Sequence, residues 1–232
     1  MQELNNWKRT SASTTTGVLF ITAAATSMIG LALYHPILST DEFLLEGAGH
    51  SNQIVLGAIF ELLLICSAAG TAILLFPILG RYNQKAALGY FTFRLLEVIV
   101  ILIGTISVLA MVSISKIYQG TLNTDPSPFK GIGLSFKAIH DWTFIIGPNF
   151  MLGINSFIYA LAFYQYRIVP RHLAMLGIVG AILIFLASLL ELFGLIEQIS
   201  IAGVLIAVPI FLYEMSLAVW LIKNGFRQSS SF

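Results

Sequence analysis

Six apolar runs, each long enough to cross a bilayer and parted by more polar stretches, constrain this chain more than any other feature. They lie at about residues 17–34, 54–79, 87–115, 138–163, 173–196 and 200–222. A helix needs about 20 residues, at 1.5 Å each, to span a hydrocarbon core of ~30 Å. None of the runs alternates with period two. Lipid also admits only helices or closed barrels, because it cannot hydrogen-bond a free peptide group. Only 10% of the residues are charged and 57% are hydrophobic, whereas a soluble domain carries about 25% charged residues. The expected fold is therefore all-α: a polytopic integral membrane bundle of six transmembrane helices, with residues 1–232 as a single transmembrane domain and the lipid bilayer as its partner. A formal net charge of +1 gives no case for binding nucleic acid.

The first run begins after Lys8 and Arg9 and contains Ala23-Ala24-Ala25, as a cleavable signal might. Its apolar stretch continues through Ile29, Leu31, Leu33 and Tyr34, beyond the ~7–15 residues of a signal-peptide core, so an uncleaved helix is expected. Orientation follows the distribution of Lys and Arg. With the N-terminus inside, the inner segments hold Lys8, Arg9, Arg81, Lys85, Arg167, Arg171, Lys223 and Arg227, against Lys116, Lys130 and Lys137 outside. Both termini should then be cytoplasmic. The outer segments also carry Asp41, Glu42, Glu46, Asp125 and Glu197. Tyr34, Tyr90, Trp142, Phe163, Tyr164 and Trp220 sit near run ends, as interfacial anchors do. Two outer loops are long, Pro36–Gln53 and Lys116–Phe136, and the second holds Asp125-Pro126-Ser127-Pro128, expected to break any helix. The lone Cys66 reads as a small buried filler.

Several segments carry a family resemblance: His140-Asp141-Trp142, Arg167-Ile168-Val169-Pro170-Arg171, Leu176-Gly177, Pro209-Ile210-Phe211-Leu212-Tyr213-Glu214 and Trp220-Leu221-Ile222-Lys223-Asn224-Gly225-Phe226. With the helix count and length, these resemble a bacterial membrane family known only as domain of unknown function 4386. The resemblance covers most of the chain. It implies a fold and a membrane location, and it carries no activity and no catalytic residues.

Five ionisable residues fall inside the runs: Glu61, Arg94, Glu97, Glu191 and Glu214. Each costs roughly 2.5–3.5 kcal/mol at the bilayer centre if left to lipid, so they should face the bundle interior. Arg94 and Glu97, three apart on one helix face, form an inner layer with Glu214. One reading is an ion-pair clamp between the third and sixth helices. The other is an anion or proton site. An outer layer gathers Glu61, His140, Asp141 and Glu191, the candidate catalytic set. Asn149, Asn155 and Tyr159, with Asp141 and Ser156, make a polar stripe on the fourth helix at about 100° per residue, a candidate pocket wall. Small residues from Gly177 to Ser188 line one face of the fifth helix, as at close helix contacts.

Histidine and carboxylate are zinc ligands, so His35, His50 and His140 are candidate metal residues. A haem held by His35 and His140 is a further option. No His-Glu-x-x-His spacing, phosphate-binding glycine loop or nucleophile elbow occurs. Three function classes stay open: binding or transforming a lipid or small apolar molecule at a polar site in the outer half, proton- or ion-coupled transport, and a non-catalytic structural subunit. The orientation is directly testable. A reporter fused after Phe232 should read cytoplasmic, and tags near Gly49 and Asn123 should be reached from outside. An externally accessible C-terminus overturns the six-helix topology.

Overall fold

The computed structural model describes residues 7–40, 42–121 and 125–227. Asp41, Asn123 and Phe232 lie outside the described residues. The fold is an all-α bundle: α1 (Ser11–Leu33), α2 (His35–Leu38), α3 (Phe43–Gly49), α4 (Ser51–Gly80), α5 (Gln84–Gly120), α6 (Ser127–Ile145), a π-helical turn (Ile146–Met151), α7 (Leu152–Tyr166), α8 (Arg171–Leu192) and α9 (Ile201–Lys223). The α6–π–α7 segment is one continuous membrane-length helix, and with α1, α4, α5, α8 and α9 it gives six helices long and apolar enough to cross a membrane. The chain is a multi-pass membrane protein. Each membrane-length helix packs on the next in sequence, and α9 packs back on α1, so the six form a closed ring.

Local chemistry starts several of these helices. Thr10 and Ser13 form a reciprocal capping box on α1, with Ser13 N donating to Thr10 Oγ1 and Thr10 N to Ser13 Oγ. Asn83 Oδ1 accepts from Lys85 N and Ala86 N to start α5. Ser200 Oγ accepts from Gly203 N at α9. These side chains satisfy amides that a helix start leaves free.

The helices depart from the apolar runs where hydropathy and hydrogen bonding part company. α5 continues to Gly120, because nothing in Ser115–Gly120 interrupts its hydrogen bonds although the residues turn polar. The proline pair expected to break a helix instead begins α6, with Pro126 at the cap and Pro128 in the first turn. There a missing N–H costs nothing. Asp125 Oδ1 accepts from Ser127 N at 2.9 Å and from Ser127 Oγ at 2.7 Å, and these bonds hold its carboxyl below the usual range. The expected outer loop Pro36–Gln53 contains α2 and α3, tied to α5 by Ser115 Oγ donating to Phe43 O and Gln119 Nε2 to Leu45 O. The fifth membrane helix stops at Leu192.

One end of the bundle holds both described chain ends. Trp7–Lys8 pairs antiparallel with Phe226–Arg227. Arg227 N donates to Ile168 O, and Tyr82 Oη reaches Arg227 O at 3.4 Å. We refer to this as the tied end and to the end bearing α2 and α3 as the far end. An aromatic core fills the tied end, with Tyr90, Tyr159, Phe163, Tyr213 and Phe226 among its members. A second core, with Tyr34, Ile37, Phe43, Leu44 and Met111, fills the far end.

Several inside–outside expectations are corrected by this packing. Tyr34, Tyr90 and Phe163 are buried in the cores rather than placed as interfacial anchors, while Trp142 is exposed. Cys66 is exposed on α4, beside the exposed Leu62 and Leu63. Lipid is as apolar as a protein core, so hydrophobicity alone could not say which face such a side chain occupies.

Helix α8 meets α9 at very short range. A Cβ built on Gly177 would clash with the Tyr213 ring, while one on Gly131 meets nothing within 4 Å. Overpacking of this kind costs about 1–3 kcal/mol. Gly177→Leu should therefore lower the apparent Tm in detergent by roughly 2–10 °C, and Gly131→Ala should leave it unchanged or raise it. Equal melting of the two variants would show that the α8–α9 contact has slack.

Candidate functional site

At the centre of the ring α5 presents a buried ion pair. Arg94 Nη1 donates to both carboxylate oxygens of Glu97, at 3.1 and 3.0 Å, and both residues are only 4% exposed. Spacing of three residues puts the two side chains on one helix face. The tie to a second helix comes from Asn155 of α7, whose Nδ2 donates to Glu97 Oε2 at 2.6 Å and to Met151 O at 2.8 Å. Glu97 thus receives the hydrogen bonds a buried carboxylate requires.

The expected clamp from the third to the sixth membrane helix is not made. Among the described residues Glu214 of α9 takes part in no ion pair. Its Oε1 is sealed and has no hydrogen-bond partner, and the same holds for Arg94 Nε. The reason is geometric: Glu97 is already within reach of Arg94 on the same helix, so the cation closes on its neighbour.

Glu214, Arg94 and Glu97 line a cavity of about 210 Å³. Every membrane-length helix contributes to its wall: Ser27 and Met28 from α1, Leu64 from α4, Ile101 from α5, Pro148, Asn149 and Leu152 from the π-helical turn and α7, Ile184 from α8, and Ile210 and Phe211 from α9. The π-helical turn helps to shape this wall. Pro148 has no N–H to offer the carbonyl of Phe144 four residues earlier, and Gln198 Nε2 donates to that carbonyl at 2.9 Å. Wide turns of this kind are frequent at functional sites.

A smaller cavity, about 20 Å³, lies towards the far end and shares Ser27, Leu64, Ile101 and Pro148 with the first. Its polar lining is Ser27, Tyr34, Glu61, Thr105, His140 and Thr143, and its volume suits about one water molecule. Glu61 lies against the backbone of α1, since a Cβ on Gly30 would sit 2.6 Å from its Oε1. His140 is 7% exposed, stacked on Phe144 with ring centroids 5.8 Å apart, and edge-on to Tyr34. Asp141 reaches His140 Nδ1 from the surface at 3.3 Å and pairs with Lys137 Nζ at 3.1 Å. This is the arrangement of a histidine oriented by a carboxylate.

The four outer candidates are therefore divided. Glu61 and His140 share the small cavity, Asp141 braces His140 from outside it, and Glu191 lines neither cavity. Instead Glu191 Oε2 accepts from Asn149 Nδ2 at 2.7 Å, so the α8 carboxylate braces a residue of the central wall. The polar stripe of the fourth membrane helix does not form one continuous wall. Of Asn149, Asn155 and Tyr159, Asn149 lines the central cavity, Asn155 holds Glu97, and Tyr159 is packed in the tied-end core against Tyr213 and Phe163.

The zinc and haem candidates are likewise separated. His35 and His50 are exposed, and His50 contacts Glu46 at 3.0 Å. Among the described residues no group of three or more His, Cys, Asp or Glu is placed to hold a metal ion. Tyr34, Thr105, Thr143 and Ser27 were not among the sequence candidates. Threonine and serine are common in membrane helices, and only the fold distinguishes those on a cavity.

The buried pair makes a stability prediction. Arg94→Met strands the Glu97 carboxylate, which costs on the order of 3–5 kcal/mol, whereas Arg94→Met with Glu97→Leu removes both charges and should recover most of the loss. Apparent Tm values in detergent test this, and strictly additive losses would show that the two side chains do not act as a pair.

No curated protein and no solved structure matches the chain. The sequence model of one family does match, over residues 15–225, which takes in the central cavity and all six membrane-length helices except the first turn of α1, and the chain accordingly belongs to the family described as Domain of unknown function (DUF4386).

Proposed function

We propose that this protein binds a small, largely apolar molecule from the bilayer in its central cavity, with the polar part of that molecule directed at the Arg94, Glu97 and Glu214 cluster. The observation that carries the reading is that all six membrane-length helices converge on one cavity of about 210 Å³ lined by Arg94, Glu97 and Glu214, of which Glu214 takes part in no ion pair among the described residues. A concave, mostly apolar space with a few convergent polar groups is the common form of a small-molecule site. A purely structural role is less well supported, because Glu214 locks no helix to another among the described residues.

The far-end cavity adds an acid–base element to this reading. Glu61 and the Asp141-braced His140 line the smaller cavity, which adjoins the binding space at Ser27, Leu64, Ile101 and Pro148, and a group reaching into it could give or take a proton there. The orientation proposed is with the tied end cytoplasmic, since Lys8, Arg9, Arg81, Lys85, Arg167, Arg171, Lys223 and Arg227 gather there and basic loops stay inside.

Cavity filling tests the reading. Protein purified in mild detergent should carry a co-purifying small molecule, detected by extraction and mass spectrometry. Ala207→Phe and Ala24→Phe, on two different walls, should each deplete it while the protein stays folded. Identical extracts from the wild type and both folded variants would refute binding in this cavity.

A further inference from the structure

We propose that Glu214 selects a cationic, amine-headed amphiphile, which reaches the cavity sideways from the lipid between α1 and α9. This rests on the binding role proposed above and adds the class of ligand and its route.

The charge follows from the side chains. One cation, Arg94, faces two carboxylates, Glu97 and Glu214, and is already bonded to Glu97. Asn155 adds a further donor to Glu97. Glu214 lines the cavity and takes part in no ion pair among the described residues. An ionised carboxylate so placed needs a counter-charge or donor. An ammonium head supplies both, as a charge-assisted hydrogen bond. A carboxylate-headed ligand would add a third negative charge beside a cation already in use.

The route follows from exposure. Most of the cavity wall is buried or half-buried, but Met28 of α1 is 59% exposed and Phe211 of α9 is 42% exposed. These two mark the mouth. Towards the tied end the same two helices close tightly, since a Cβ on Gly17 would lie 2.5 Å from Ala218 O. Outside the mouth, Ile29, Val204, Leu205, Val208 and Leu212 are all exposed, an apolar surface that suits lipid rather than water. A molecule using this mouth arrives from the membrane, so it must carry an apolar body as well as its amine.

Three probes with one skeleton separate the claims: benzylamine, benzyl alcohol and benzoate, each titrated against the full-length protein in nanodiscs with the Tm as readout. Benzylamine should stabilise saturably, benzyl alcohol less, and benzoate not at all. Glu214→Gln, which keeps the shape, should weaken benzylamine by about tenfold or more, the scale of one charged hydrogen bond, and leave benzyl alcohol unchanged. In a Cys66→Ser, Phe211→Cys background, benzylamine should protect the introduced thiol from a lipid-soluble maleimide. If benzyl alcohol matches benzylamine in the wild type, Glu214 is a neutral, protonated group, and amine selection is refuted while the cavity stands. If labelling is the same with and without benzylamine, the lateral route is refuted. If no probe stabilises the wild type and the cavity-filling variants also leave the extracts unchanged, the binding role falls with it.

Discussion

Hydrocarbon can neither hydrate a charge nor hydrogen-bond a peptide group, and the interior of this bundle is arranged around that constraint. Helices solve the backbone part. The side-chain part is solved at Glu97, where Arg94 and Asn155 deliver their donors to one carboxylate. Because Arg94 is on the same helix as Glu97, the pair is complete within α5 and leaves α9 free of it. Glu214 then has no cation of its own, and the polar centre of the protein remains unbalanced. An unbalanced centre enclosed by a ring of helices is a different object from a salt-bridged core, and the binding role proposed here depends on that difference.

The cavity exists because the bundle is packed from its two ends. Aromatic side chains fill the tied end and a second cluster fills the far end beneath α2 and α3. Between them the helix walls carry a mixture of apolar, small and polar residues around the open space. The wide turn at Ile146–Met151 places Asn149 on this wall, and α8 supports it from behind through Glu191. The carbonyl orphaned by Pro148 is answered by Gln198 from the segment before α9. A local irregularity in one helix is thus stabilised by two other parts of the chain, as non-ideal backbone at membrane depth must be.

Much of this was legible without coordinates. Run length and the scarcity of charge establish six membrane helices, because the ~30 Å hydrocarbon thickness is a property of the solvent and not of the fold. The cost of a charge in lipid turns Glu61, Arg94, Glu97, Glu191 and Glu214 inwards, and the three-residue spacing of Arg94 and Glu97 places them on one face. What sequence periodicity could not show was that only part of the stripe reaches the cavity: Asn149 lines it, whereas Tyr159 packs in the tied-end core. Nor could hydropathy find the ends of α5 and α6, since helical hydrogen bonds continue through polar residues.

Only the tertiary structure decided which inward-facing groups meet. Depth along the membrane is read from residue number at 1.5 Å per residue, but the angle at which each helix faces its neighbours depends on contacts such as Gly177 against Tyr213 and Gly17 against Ala218. Glu61 and Glu191 were assigned similar depths, yet one lines a cavity and the other braces a wall residue. Lipid and core are equally apolar, so the chain itself carries little signal for that rotation, and helix packing supplies it.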